Sequence, residues 1–212
     1  KYIASLPTAN VKENWKYNLA EWSQKNTDKD IYLSMQDAKS TINIAVKKDI
    51  PFNLKDQFLM KTLGSILKLR YTESLREQEG GTYGASVSGY LIKEPKSRAY
   101  ISVKFDCNPE LAEKLIAIVY KEMDNIKDGA VLQEDLDKTT TNFLKERKDS
   151  KNFNGYDMAA IKNYVLEGYN IELPENFEDI INSITTKDIQ DIANRVLTDY
   201  KSFEIVFKPL NQ

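Results

Sequence analysis

A chain of 212 residues, 41% hydrophobic and 10% aromatic, is long and apolar enough to bury one sizeable core, which excludes a disordered chain. Its 30 Lys and Arg stand against 32 Asp and Glu, with the signs interspersed, so no basic stripe is available to a nucleic-acid backbone. There is no histidine and one cysteine, Cys107, which removes the side chains that catalytic zinc, structural zinc, an internal disulfide and most neutral-pH general-base chemistry require.

In chain order, residues 1–27 carry Pro7, Trp15 and Trp22 without a sustained period, and read as a linker or the end of a preceding domain. The start at Lys1, without Met, reads as a piece cut from a longer polypeptide. Alternation then sets in at Ile31, Leu33 and Met35, and again at Ile42, Ile44 and Val46, which predicts two strands or one irregular one. From Phe52 to Ser74, the residues Leu54, Phe58, Leu59, Leu63, Ile66 and Leu67 follow the rhythm of a helix with one buried stripe, halted by Gly80-Gly81. Strands are expected over Thr82 to Ile92 and Arg98 to Asp106, joined by a turn at Glu94-Pro95-Lys96. Asn108-Pro109 opens another amphipathic helix through Leu111, Leu115, Ile118, Val119 and Ile126. Helices follow at about Gln133 to Arg147, Tyr156 to Gly168, Glu175 to Ser183 and Thr186 to Leu197, and the last strand is Ser202 to Lys208. This order is the α+β plan, with helices on one face of a largely antiparallel sheet formed by residues 28–212. No apolar run nears the ~20 residues that cross a bilayer, so membrane insertion is not expected.

The stretch Lys68 to Tyr90 combines a helix end, a glycine pair and a phenol at a strand entrance. Glycines let a second backbone approach closely, an Arg at position 76 offers a planar fork of donors, and Tyr83 offers a hydroxyl. Arg76 and Tyr83 together could hold the carbonyls of an extended peptide and stabilise an oxyanion, with Gly81 and Thr82 alongside the bound backbone. The same residues also fit plainer roles. Arg76 could pair with Glu73, Glu77 or Glu79, Tyr83 could be an ordinary sheet residue, and Gly80-Gly81 a helix cap. A phosphate loop over Glu79 to Gly84 is a third reading, although it lacks Gly-Lys-Ser/Thr. Arg70 and Tyr71 could be taken as a second clamp but read rather as solvated surface residues, Cys107 reads as a packed side chain, and Tyr156, Tyr164 and Tyr169 as helix packing.

The run Leu75-Arg76-Glu77-Gln78-Glu79-Gly80-Gly81-Thr82-Tyr83-Gly84 resembles the Arg/Tyr signature in the C-terminal half of pitrilysin/insulysin-type (insulinase-family) zinc peptidases. Lys1-Tyr2-Ile3-Ala4-Ser5-Leu6-Pro7 is similar to the phrase that closes the preceding domain in bacterial members. The resemblance implies a two-layer domain like those of LuxS and the mitochondrial processing peptidase, one of four in a clamshell, and inactive alone. Zinc would be bound by an inverted His-x-x-Glu-His motif on another domain, in the same or a partner chain, with none here. On matching positions, Tyr83 would donate to the scissile carbonyl and Arg76 would hold a nearby one, making both catalytic and substrate-binding residues. The substrate would be a peptide or protein, and the location the bacterial cell envelope or periplasm. The alternative is a catalytically silent structural or peptide-binding module of the same fold.

Overall fold

Period-two alternation builds the centre of the sheet. In β2 (Ser40–Lys48), Ile42, Ile44 and Val46 are buried while Thr41, Asn43 and Ala45 between them are partly exposed. In β4 (Arg98–Cys107) the buried set is Ala99, Ile101, Val103 and Phe105. The antiparallel register pairs Ile42 with Phe105, Ile44 with Val103 and Val46 with Ile101, so both apolar sets share one face. A slip of one residue would turn them all outward, which is why the pattern holds the register.

The computed structural model describes residue 16 and residues 26–36, 38–78, 82, 84–162, 164–165 and 175–210, with the backbone alone for 76–78 and 175–176. Within these residues β5 (Lys201–Pro209) lies antiparallel on the other side of β2, with Val206 opposite Ile42. β1 (Thr27–Leu33) runs parallel to β5 at one edge, and β3 (Ser86–Ile92) antiparallel to β4 at the other. The order is β1-β5-β2-β4-β3, and the single parallel pair joins the first strand to the last.

Helices cover the apolar face, which makes the chain an α+β domain with a largely antiparallel sheet, as expected. Asn53 caps α1 (Leu54–Tyr71) by accepting from the Asp56 amide at 2.8 Å. Asp56 in turn takes two bonds, 2.9 and 2.7 Å long, from Arg195. Asn108 and Pro109 start a short 3-10 turn that leads into α2 (Ala112–Lys127). Next come α3 (Gln133–Ser150), α4 (Asn154–Lys162), α5 (Glu175–Asn182) and α6 (Thr186–Val196), the last opened by a Thr185/Asp188 capping box.

α1 lies directly on edge strand β3, and a pair of glycines permits the contact. A Cβ on Gly64 would stand 2.2 Å from the Gly89 nitrogen, and one on Gly89 would stand 2.2 Å from the Met60 carbonyl oxygen. No side chain fits between these two backbones.

Several sequence expectations need correction. The first strand runs Thr27–Leu33, earlier than the Ile31 to Met35 pattern indicated, and β3 begins at Ser86, not Thr82. α1 ends at Tyr71 and passes into a π-helical turn over Thr72–Gln78 before the glycine pair is reached. Arg70 and Tyr71 are not a solvated pair. Tyr71 is fully buried, and the Arg70 side chain keeps 17% of its surface, because both reach toward helices packed beside α1. Tyr156 lies under the Arg147 guanidinium at 5.2 Å, but Tyr164 is 52% exposed, so it does not pack as expected. Cys107 is packed in the core, where burial pushes its thiol up to about 11. Tyr169, and residues 1–27 apart from Lys16, Asn26 and Thr27, lie outside the described residues.

Candidate functional site

The site region grows from the end of α1. Leu63, Leu67, Tyr71 and Leu75 recur every fourth residue, and all four are fully buried. Past Tyr71 the helix widens, and in a π-helical turn each amide reaches one carbonyl further back. Side-chain hydroxyls supply bonds at this transition. Thr72 Oγ1 donates to the Lys68 carbonyl at 2.8 Å, and Ser74 Oγ to the Arg70 carbonyl at 2.9 Å.

The root of the turn is tied to two other helices. The Tyr71 hydroxyl donates to the Val119 carbonyl of α2 at 3.1 Å. Arg70 Nη2 donates to the Ala130 carbonyl, in the α2–α3 connection, at 2.8 Å, and Arg70 Nε lies 3.5 Å from Asp135 Oδ2 of α3. Burial pushes the Tyr71 phenol well above its ordinary range, with the Glu122 charge adding to the effect, so it stays a neutral donor. Burial also raises the Asp135 carboxyl, and the Arg70 charge offsets this only in part.

The backbone of Arg76 lies within the Thr72–Gln78 turn. Its side chain, and the whole of Gly81 and Tyr83, fall outside the described residues. Thr82 is partly buried, and its hydroxyl accepts from the Gly84 amide at 3.3 Å and donates to the Gly84 carbonyl at 3.2 Å. Gly84 has φ +151°, a conformation closed to ordinary side chains, so a glycine is required where the chain turns into β3. The Arg76 backbone and the Thr82–Gly84 hydrogen bonds both fall, along the chain, between the end of α1 and Ser86 at the start of β3.

Sequence reasoning missed Tyr71, Arg70 and Asp135 as anchors of this connection. For Tyr71 a signal was present, since it continues the every-fourth-residue stripe of Leu63 and Leu67. For Arg70 there was none, because its partners are some 60 residues away along the chain.

Residues 1–143 match a family model described as the peptidase M16 inactive domain. The chain belongs to that family. This M16 inactive domain is 33% identical, over 79 residues, to a PQQL-like zinc protease of Arabidopsis thaliana, a stretch amounting to 35% of this chain and 8% of that protein. Its fold is similar to that of the periplasmic protease PqqL from Escherichia coli, with TM-score 0.83 and 15% identity, covering 99% of this chain and 23% of that one. A structure of the ferredoxin protease FusC in complex with Arabidopsis ferredoxin matches with TM-score 0.78 and 18% identity, again over 99% of this chain and 23% of that one. An inactive peptidase domain from Bordetella parapertussis matches at 0.64 and 13% identity, and there this chain covers 96% of the other. The M16 inactive domain therefore spans under a quarter of the PqqL and FusC chains and nearly all of the Bordetella one.

The family is one of zinc proteases, and whether this domain could hold zinc is a question of donors. The sequence has no histidine, and its one cysteine is buried with a raised thiol. Among the described residues no three His, Cys, Asp or Glu side chains group as a metal would need. These residues do not fit a zinc ion.

Proposed function

We propose that this M16 inactive domain is the substrate-clamping part of a longer peptidase, contributing Arg76 and Tyr83 to a hydrolytic centre carried by another domain of the same or a partner chain. Residues 28–212 form the clamping domain, and residues 1–27 close the one before it. The Tyr83 hydroxyl would donate to the scissile carbonyl oxygen as it gains charge, and the Arg76 fork would hold a neighbouring carbonyl. Gly81 and Thr82 would leave room for the substrate backbone. Zinc would belong to the other domain, and this one would be inactive alone.

The observation that carries this reading is the join between α1 and β3. The buried stripe of α1 leads into a π-helical turn that holds the Arg76 backbone, Gly84 with φ +151° follows Tyr83 in the sequence, and π-helical turns recur at functional sites. A peptide or protein substrate accords with the ferredoxin bound to FusC, and a cell-envelope location accords with the description of PqqL as periplasmic. Among the described residues no helix is long and apolar enough to cross a membrane.

The test is Tyr83→Phe in the longer polypeptide, assayed by peptide hydrolysis. Loss of one oxyanion donor should lower kcat by roughly 10–1000-fold, with KM changed far less. Unchanged turnover would leave only a structural or peptide-binding module.

A further inference from the structure

The connection between α1 and β3 begins with the wide Thr72–Gln78 turn, and Gly84 near its end has φ +151°. Its first residues are packed. Tyr71 and Leu75 are fully buried, and Ser74 is 6% exposed. Between Tyr71 and the start of α3, Arg70 reaches across to the Ala130 carbonyl and the Asp135 carboxylate.

The geometry of this last contact is unlike that of a stabilising surface pair. Its side chains retain 17% and 13% of their surface, and its 3.5 Å approach brings Nε and Oδ2 together without a hydrogen bond between them. Thr139, one turn along α3 from Asp135, is also buried with no hydrogen-bond partner for its hydroxyl. Burial raises the Asp135 carboxyl even with Arg70 beside it, which marks a desolvated pair. Such a pair adds little net stability, but it permits one arrangement of the two helices and penalises others.

We propose that Arg70 and Asp135 are positioning residues, which lock the last turn of α1 to α3 and so fix the root of the π-helical turn that carries Arg76. In its consequence for catalysis this rests on the reading of Arg76 given above; the mechanical tie itself does not. Of Lys61, Lys68 and Arg70, the basic residues of α1 beyond its first two turns, only Arg70 makes an ion pair to α3 among the described residues.

The tie is tested on the 212-residue chain, which has one hydrophobic core and of which 85% aligns with 96% of an inactive peptidase domain from Bordetella parapertussis solved as a domain. Amide hydrogen exchange is followed in Arg70→Ala, Arg70→Lys and Asp135→Asn. Removing the guanidinium should speed exchange within Thr72–Gln78 by about 10-fold while β2 and β4 keep their protection. Arg70→Lys, which retains the charge without the fork, should fall between it and the parent. Asp135→Asn keeps the side-chain shape, so it provides a folded variant should Arg70→Ala not fold. Exchange that is unchanged in the turn, or raised evenly across the chain, would overturn the proposal. In the longer protein, Arg70→Ala should reduce kcat/KM, and should add nothing to Arg76→Ala. Additive losses would overturn the positioning role. Turnover unaffected by Arg76→Ala would instead refute the site assignment, and the exchange result would still decide the tie.

Discussion

Replacing Gly89 with Ala tests the contact that places α1, and with it the candidate site, against the sheet. The new Cβ would lie 2.2 Å from the Met60 carbonyl oxygen and 3.0 and 3.1 Å from the Gly64 nitrogen and Cα, all of them backbone atoms. No rotamer change relieves a clash with backbone, so α1 must retreat by about 1 Å to restore ordinary contact. That retreat loosens Met60 and Leu63, both fully buried. Overpacking costs about 1–3 kcal/mol where side chains can adjust, and here they cannot, so a loss of about 3 kcal/mol is expected. For a domain of this size that corresponds to a melting point lowered by roughly 6–12 °C. Urea unfolding followed by circular dichroism should show a lower midpoint with an unchanged slope. Gly155→Ala is the control, since nothing lies within 4 Å of a Cβ there and helix α4 should gain about 0.5–1 kcal/mol. A loss below about 1 kcal/mol for Gly89→Ala, or equal losses in both variants, would refute the packing account.

The Asp56–Arg195 pair should respond asymmetrically. Arg195→Ala leaves a carboxylate only 6% exposed with the Asn53 amide as its remaining side-chain donor, whereas Asp56→Ala frees a guanidinium 45% exposed that water can reach. The first should cost about 1–3 kcal/mol more than the second, and equal urea midpoints would contradict this. Glu204 is raised above its ordinary value by burial and by Asp28 and Asp30, with the Tyr120 hydrogen bond opposing. A carboxyl raised on folding contributes stability below its unfolded value, and that contribution is lost as pH rises through the folded one. Glu204→Gln should therefore raise the melting point at pH 7, and the gain should shrink as pH falls through the range near 4.5; a gain independent of pH would exclude this origin. Cys107, buried and with its thiol near 11, should react with a thiol reagent at pH 8 at least about 100-fold more slowly in the native chain than in urea. Prompt native labelling would show that the β4 end opens readily.

Much of the architecture was legible along the chain because it is written in local periods. Ile42, Ile44 and Val46 alternate as a strand with one buried face must, Leu63 and Leu67 repeat as a helix must, and Asn108-Pro109 and Thr185 are chemically suited to the helix starts they make. The absence of histidine left the chain without the imidazole ligands of a catalytic zinc site before a fold was known. The Arg76 and Tyr83 spacing likewise pointed to the family that the M16 match then established.

The tertiary structure decided what depends on distant partners. No local pattern could place the chain-final β5 between β1 and β2, parallel to one and antiparallel to the other, because adjacency is set by how strands pair across the whole chain. Gly89 looked like any strand glycine until Gly64 and Met60 were brought against it. Arg70 looked like a solvated helix residue until Ala130 and Asp135 arrived from the next helices. Periodicity tells which face of an element seeks burial; what meets that face is settled only when the elements pack, since the cost of an unpaired charge or a crowded backbone arises only at the contact itself.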